Sequence, residues 1–349
     1  MTPDSLTNTD ENSRGRRLAV LGLSSGGCAL GRRLAKALDG DFFAGKGRFA
    51  QVMAEVWANY REIVCIMAAG IVVRTVAPLL NDKARDSAVV VCDERGMFAV
   101  SLLSGHLGGA NALARRVAAV TGGQAVLTTA SDVLGRTPLD LWCRDFGLEP
   151  GDKAAFTRIM SRLIDRGLLT IWSRYPLPEL PPDLRPHDDR LAADLIIDSR
   201  IAPSEQAAVL HPKALVVGVG CNRGTSAGAI AAAVASTCAE HDLAPAAIAR
   251  LASIDLKRDE AGLLEYARTR GLTVDFFGKD ALNRVKGIAA STAVQRATGA
   301  KAVAEPAALL AAGPSGRLLA AKMKWADVTT AVAEIADPFA TINQETRRQ

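Results

Sequence analysis

Residues 98–111 read Phe-Ala-Val-Ser-Leu-Leu-Ser-Gly-His-Leu-Gly-Gly-Ala-Asn, and they join an apolar run to a glycine-rich turn. The run 98–103 has the composition of a strand, and apolar residues recur at helical spacing from position 107 to position 117. A strand, a turn and a helix in this order form the repeating unit of an α/β fold. The turn carries His106, one of four histidines in the chain, where glycine lets a ligand approach the backbone.

Strand and helix patterns alternate in two parts of the chain. The first part contains strand-like runs at 17–22, 62–67, 88–92 and 98–103. A second α/β pattern starts at 214–219, and the proline-rich stretch 175–182 separates the two parts. We therefore predict an α/β protein with two α/β domains of mostly parallel sheets, joined by a small middle region. The predicted parts are a disordered tail (1–16), an N-terminal α/β domain (17–134), a middle or linker region (135–212), a C-terminal α/β domain (213–337) and a flexible tail (338–349).

The composition excludes several classes of protein. The chain has 349 residues, a net charge of +5 and only 5% aromatic residues, so it offers few stacking platforms and no nucleic-acid partner is expected. The longest apolar stretch, 63–73, is too short to span a bilayer, and no membrane partner is expected. The six cysteines form no C-x-x-C pair, which argues against a metal site or a disulfide framework. Because residues 1–16 lack the apolar segment of a signal peptide, we predict a cytoplasmic location.

His106 is the first candidate for catalysis. The dipole of the helix that follows is predicted to disfavour the imidazolium, and a neutral ring can act as a general base. The alternative is a histidine that is hydrogen-bonded only to the surrounding structure. Ser104, beside His106, and Glu94, in the connection before the strand that leads to it, complete the predicted catalytic set.

Two glycine-rich turns and several charged residues are candidates for substrate binding. The turns at 104–111 and 220–225 offer helix N-terminal amides to anions, and the turn at 128–132 ends a strand at the same edge as the first of them. Glu305 is either a residue that complements a helix dipole or a site carboxylate. Cys221 is less favoured as a nucleophile, because no histidine lies in its segment. The predicted binding set is Arg74, Lys83, Gly105, Gly108, Gly109, Asn111, Asp132, Cys221, Arg223, Thr225 and Glu305.

Several of these segments resemble the CbiG family of cobalamin-biosynthesis proteins, the cobalt-precorrin-5A hydrolases. The segments that carry the resemblance are 66–74, 78–83, 89–94, 101–111, 128–132, 218–225, 304–309 and 322–333. The resemblance implies a hydrolase that opens the ring A acetate δ-lactone of cobalt-precorrin-5A and releases acetaldehyde. It implies a tetrapyrrole as the partner molecule and no resident cofactor, since the cobalt enters as part of the substrate. Neighbouring enzymes of the pathway are further candidate partners.

Two departures from the family pattern keep other functions open. Asn222 stands where similar proteins often have a basic residue, and the middle region matches loosely. The C-terminal region alone also resembles a smaller protein of aerobic cobalamin synthesis, so the half with His106 must supply the hydrolase activity. The competing function is a non-catalytic corrinoid carrier in which His106 ligates cobalt. A nucleotide-dependent enzyme is a remote third, because the phosphate-loop and acidic ribose signatures are missing.

Overall fold

The computed structural model describes residues 18–81, 86–201 and 206–340. The predicted disordered tail 1–16 and Lys83 lie outside these ranges. The chain divides into two compact units, Met1–Leu141 and Trp142–Gln349. No helix within the described ranges is both long enough and apolar enough to cross a bilayer.

The first unit is built on one six-stranded sheet. Its elements are β1 (Leu18–Gly22), α1 (Ser25–Ala37), β2 (Asp41–Ala44), α2 (Phe49–Asn59), β3 (Glu62–Ile66), α3 (Ala69–Val76), β4 (Ala88–Cys92), β5 (Phe98–Leu103), α4 (Ala110–Thr121), β6 (Gln124–Val126), α5 (Ala130–Leu134) and the start of α6 (Leu139–Asp145). The strand order is β2-β1-β3-β4-β5-β6. Strands β1, β3 and β4 are buried along their whole length, because α1 and α4 cover one face of the sheet while α2 and α3 cover the other.

The direction of β5 decides where the residues that follow it lie. Strands β1 to β4 pair in parallel, but β4 and β5 are antiparallel. Strand β6 runs parallel to β5. The chain therefore leaves β5 and β6 at the edge where β1, β3 and β4 begin, and not at the edge where those strands end.

The second unit contains two five-stranded sheets. Its elements are β7 (Glu149–Pro150), α7 (Lys153–Arg166), β8 (Leu169–Ser173), β9 (Leu184–Pro186), β10 (Leu195–Ile197), β11 (Ala208–His211), β12 (Leu215–Cys221), α8 (Ala227–Glu240), β13 (Ile248–Ile254), α9 (Ala261–Thr269), β14 (Thr273–Phe277), α10 (Lys279–Arg284), α11 (Thr292–Thr298), α12 (Ala304–Ala312), β15 (Arg317–Lys324) and β16 (Val328–Glu334). The strand orders are β7-β11-β10-β8-β9 and β14-β13-β12-β16-β15.

The predicted α/β class with mostly parallel sheets is confirmed. The middle region, for which the sequence predicted no strands, builds a sheet of its own, and β7 and β11 are the antiparallel pair among its described strands. Strands β9 and β10 have three residues each, too few to show a period in the sequence. The predicted start of the flexible tail at 338 is wrong, since Phe339 is fully buried and its ring stacks edge-on against Phe146.

Candidate functional site

A cluster of polar side chains surrounds His106 at the end of β5. His106 lies in the turn before α4, with about a fifth of its side chain exposed. Its Nε2 atom is 2.9 Å from the Ser131 hydroxyl and 3.0 Å from Asp132 Oδ2. Its Nδ1 atom faces Asp140 Oδ1 at 3.6 Å. Both nitrogens of the imidazole thus face carboxylates.

The sheet brings these residues together. Strands β5 and β6 are parallel neighbours, in register from Phe98 opposite Gln124. Their ends therefore lie at the same edge, as the sequence predicted for the turn at 128–132. Asp140 comes from α6, beyond the predicted domain boundary at 134, and it belongs to the first unit.

Asp132 is the most firmly held member of the cluster. Arg115 Nη2 donates to its Oδ1 at 2.6 Å, while Asn111 Nδ2 and Thr129 Oγ1 donate to its Oδ2 at 2.7 and 3.0 Å. Partial burial acts to raise the pKa of Asp132, but the hydrogen bonds from Arg115, His106 and Thr129 outweigh it and hold that pKa below its usual range. Asp132 is therefore a fixed negative charge beside His106.

The protonation of His106 follows from its neighbours. The Asp140 carboxylate, together with Asp132, raises the pKa of His106 above its usual range, against the opposing effect of partial burial. The dipole of helix α4, which was predicted to keep this ring neutral, does not set its pKa. Helix α4 starts at Ala110 with Gly109 as its N-cap, so the ring precedes the first helical turn and responds to the carboxylates instead.

The backbone of the turn leaves several amides without partners. Gly109 N–H donates to the His106 carbonyl at 3.0 Å, and Ala110 N–H donates to the Ser104 carbonyl at 3.1 Å. Within the part of the chain that the structure describes, the amides of residues 105–108 donate to no protein group. Position 108 requires glycine, because a Cβ atom there would lie 2.7 Å from the Ser104 carbonyl oxygen.

Ser104 stands next to the cluster in an unusual conformation. Its φ of 58° lies in the left-handed region, which costs a non-glycine residue about 1–2 kcal/mol. Its Oγ atom is buried, and among the described residues it has no hydrogen-bond partner. Backbone strain and an unsatisfied hydroxyl both concentrate at functional sites.

Glu94 is not part of this cluster. It follows β4, and the Ser24 hydroxyl at the N-terminus of α1 donates a hydrogen bond to it. Because β4 and β5 are antiparallel, Glu94 and His106 lie at opposite edges of the sheet, separated by the length of β4 at about 3.3 Å per residue. The prediction that Glu94 acts with His106 is therefore wrong.

Arg74 lies outside the hydrogen-bonded network of His106. It is exposed in the last turn of α3, and its Nη1 atom donates to the Gly70 carbonyl one turn earlier at 3.0 Å. Helix α3 connects the end of β3 with the start of β4, so its last turn points toward the edge of the sheet at which β5 ends.

The second glycine-rich turn, at 220–225, is held by its own hydrogen bonds. Arg223 donates to Asp259 Oδ1 at 2.6 Å, and Thr225 Oγ1 donates to the Asn222 carbonyl at 2.9 Å. Cys221 lines a cavity of about 350 Å³. Burial raises the pKa of the Cys221 thiol, which disfavours the nucleophilic thiolate.

Glu305 has a structural contact. It lies in the first turn of α12, and its Oε1 atom accepts a hydrogen bond from the Lys322 amide of β15 at 3.1 Å. It thus ties α12 to β15. Across the ranges 18–81, 86–201 and 206–340, no three His, Cys, Asp or Glu side chains form a group that could hold a metal ion.

Sequence reasoning missed four residues of the cluster. Ser131 and Thr129 lie in the turn at 128–132, which was predicted only as a segment. Arg115 follows Asn111 by four positions on α4, so helical spacing places both on one face. Nothing in the sequence pattern marks Asp140, because its contact with His106 depends on tertiary structure.

Comparisons with known proteins give a consistent result. The family model described as Cobalamin synthesis G N-terminal matches residues 51–132, and that described as Cobalamin synthesis G C-terminus matches residues 215–333. The chain is 34% identical to the cobalt-precorrin-5A hydrolase of Priestia megaterium over 310 residues, which cover 83% of this chain and 82% of that protein.

Two further relatives differ in how much of the chain they match. The cobalt-precorrin-5A hydrolase of Salmonella typhimurium (strain LT2) is 32% identical over 338 residues, covering 89% of this chain and 96% of that protein. The protein CobE of Sinorhizobium sp is 33% identical over 136 residues, covering 38% of this chain and 88% of CobE.

Proposed function

The chain belongs to the CbiG family, and we propose that it is a cobalt-precorrin-5A hydrolase of cobalamin biosynthesis. It opens the ring A acetate δ-lactone of its substrate and releases acetaldehyde, giving cobalt-precorrin-5B. The observation that carries this proposal is the position of His106 between two carboxylates, in the half of the chain that matches the N-terminal family model. The cobalt arrives with the substrate, and no resident cofactor takes part.

Lactone opening starts with an activated water. The 3.6 Å between His106 Nδ1 and Asp140 Oδ1 is longer than a good hydrogen bond, and a polar gap of this kind can be bridged by a water molecule. His106 takes a proton from this water as the water attacks the lactone carbonyl. Asp132 stabilises the imidazolium that forms and keeps the ring oriented from the Nε2 side.

The tetrahedral intermediate needs hydrogen-bond donors for its oxyanion. The amides of residues 105–108 have no acceptor among the described residues, and three backbone hydrogen bonds fix their turn. Donors held in place before the reaction stabilise developing charge without reorganisation. The Ser104 hydroxyl, which lacks a partner among the described residues, is a further donor. The imidazolium of His106 then protonates the departing alkoxide, so the lactone becomes a carboxylic acid and an alcohol.

The second step releases the two-carbon fragment. The new alcohol loses its proton to His106, its C–O bond becomes the carbonyl of acetaldehyde, and the adjacent carbon–carbon bond breaks. The electron pair of that bond passes to the macrocycle and its cobalt. One base thus serves both steps, because the first step returns His106 to its neutral form.

The surroundings of the cluster suit a macrocycle edged with carboxylates. Leu107, Val133 and Leu134 are exposed apolar side chains next in sequence to the residues of the cluster. A flat apolar ring can pack on such side chains. We propose Arg74 as a partner for substrate carboxylates at this edge of the sheet. Lys83, which lies outside the described residues, is proposed as a second partner on the sequence alone. A cytoplasmic location and contact with neighbouring pathway enzymes belong to the same proposal.

The test is anaerobic incubation of the purified protein with cobalt-precorrin-5A in [18O]water, with volatile aldehyde trapped. We expect one acetaldehyde per substrate and one 18O atom in the ring A acetate carboxylate of the product. Tight binding without acetaldehyde would contradict the proposal and favour a corrinoid carrier.

A further inference from the structure

The second unit has a cavity that the proposed reaction does not use. Its volume is about 350 Å³, and it lies at the ends of β12 and β13, where Cys221 and Ile254 line it. Helix α11 and the start of α12 form one wall, and the connection between β15 and β16 forms another. In open α/β sheets, ligands bind outside the carboxyl ends of the parallel strands, which is the position of this cavity.

The cavity is positively charged. Lys322 and Lys324, two residues apart on β15, both line it, and neither has an ion-pair partner among the described residues. Lys257 lines it as well, but Glu260 neutralises this lysine at 2.9 Å. The carboxylate of the lining residue Asp327 is engaged by the side-chain amide of Asn222 at 2.8 Å. Two ammonium groups without an ion-pair partner among the described residues therefore line the cavity against the one carboxylate of Asp327, and this excess favours an anionic ligand.

The cavity also has an aromatic and apolar wall. Trp325 lines it, and its indole Nε1 donates to the fully buried Thr330 hydroxyl at 3.0 Å, which fixes the ring. Val294 and Val303 add aliphatic surface. A ligand that suits both lysines and this wall is amphipathic, with a flat apolar body and carboxylates at its edge.

A nucleotide fits this cavity poorly. Two amides of the adjacent turn are already engaged, because Asn222 N–H donates to the Asp327 carbonyl at 3.0 Å and Gly224 N–H donates to Glu260 at 2.8 Å. They cannot form the nest of free amides that usually cradles phosphates. The anion that the lysines hold is then one that needs no such nest, such as a carboxylate.

We propose that this cavity in the second unit binds the carboxylate-bearing edge of a tetrapyrrole through Lys322, Lys324 and Trp325. The identification of the ligand as a tetrapyrrole rests on the proposed function. Cavities of this size enclose drug-sized ligands and are too small for a whole macrocycle. The macrocycle therefore inserts one edge while the rest stays outside. The site binds the corrinoid but performs no chemistry on it, since the Cys221 thiol has a raised pKa and no histidine lines the cavity.

The test uses cobyrinic acid, a corrinoid that carries ring carboxylates but no lactone, titrated into the full chain by calorimetry. We expect the charge reversals Lys322→Glu and Lys324→Glu together to weaken binding by about tenfold or more. The matched control is Lys153→Glu with Lys286→Glu, which changes two exposed lysines of the same unit and should bind like wild type.

A second variant tests the cavity rather than its charge. Ala297 is exposed on α11 and lines the cavity, so Ala297→Trp fills the space from a position where a larger side chain does not disturb the core. We expect the same loss of binding. The proposal would be overturned if both cavity variants bind cobyrinic acid like wild type. It would also be overturned if the lysine control loses as much affinity as the cavity variants, or if wild type does not bind.

The result separates this proposal from the hydrolase. If binding of cobyrinic acid depends on the cavity but cobalt-precorrin-5A yields no acetaldehyde, the binding site would be supported and the hydrolase activity rejected. If acetaldehyde is released but the cavity variants bind cobyrinic acid like wild type, the hydrolase activity would stand and the cavity site would be rejected.

Discussion

The two glycine-rich turns of the chain look alike in sequence but differ in structure. In the turn at 104–109, the amides of residues 105–108 have no acceptor among the described residues, and the turn stands beside a cluster of His106, Asp132 and Asp140. The turn at 220–225 is tied to the following segment, because Arg223 donates to Asp259 and the Gly224 amide donates to Glu260. Beside it lies an open cavity lined by two lysines that have no ion-pair partner among the described residues. A glycine-rich turn after a strand thus predicts where a ligand lies, while the surrounding side chains decide whether chemistry or binding takes place.

The largest expected effect is the loss of turnover when His106 is removed from the first turn. His106→Ala should lower kcat by about 10²- to 10⁴-fold, the usual loss when a general base is removed. Corrinoid affinity should change little, because the ring is not needed to hold the macrocycle. The matched control is His187→Ala at a half-buried position of the second unit, which should keep wild-type turnover. Wild-type-like turnover by His106→Ala would remove the proposed base.

A second prediction concerns the pH dependence of the first turn. The neutral ring of His106 is the base, so kcat/KM should rise with pH through the pKa of this residue. Since Asp140 raises that pKa, Asp140→Asn should lower it and move the acid limb of the profile to lower pH. We also expect kcat to fall by about 10²-fold, because an amide at this position lacks the negative charge that stabilises the imidazolium formed in the reaction. An acid limb that stays in place would show that another group titrates.

The glycines of the two turns should respond differently to alanine. A Cβ at position 108 would lie 2.4 Å from Ser104 Cβ, and relieving such a clash costs about 1–3 kcal/mol of unfolding free energy. At position 224 no atom lies within 4 Å of such a Cβ, so only the positive φ of 77° is penalised, by about 1–2 kcal/mol. Denaturant unfolding measures both. Gly108→Ala should also lose turnover, whereas Gly224→Ala should keep it.

The smallest expected effect is at Arg223. Its guanidinium is paired with Asp259 on an exposed surface and does not line the cavity. Arg223→Ala should therefore leave turnover and corrinoid affinity within experimental error of wild type. A clear loss of affinity by calorimetry would mean that the pair opens to receive the ligand, as the sequence alone had suggested.

The fold was predictable from the sequence where whole strands are buried. Strands such as β4 are buried on both faces and show as continuous apolar runs. The middle sheet was missed because its strands are short. Glu94 was misplaced although a signal existed: only five residues connect β4 to β5, and a parallel connection needs a dozen or more. The contact of Asp140 with His106 joins residues of different elements, and no local pattern in the sequence encodes it.

The measurement that tests the account most directly is single-turnover acetaldehyde release at saturating protein, with His106→Ala and Lys322→Glu/Lys324→Glu compared with wild type. We predict that the histidine variant binds cobalt-precorrin-5A but releases acetaldehyde at least about 10²-fold more slowly than wild type. The lysine variant should release it at the wild-type rate once enough protein is present to bind all substrate. Release by the histidine variant at the wild-type rate, or abolished release by the lysine variant at saturation, would contradict the division between a catalytic first turn and a binding cavity.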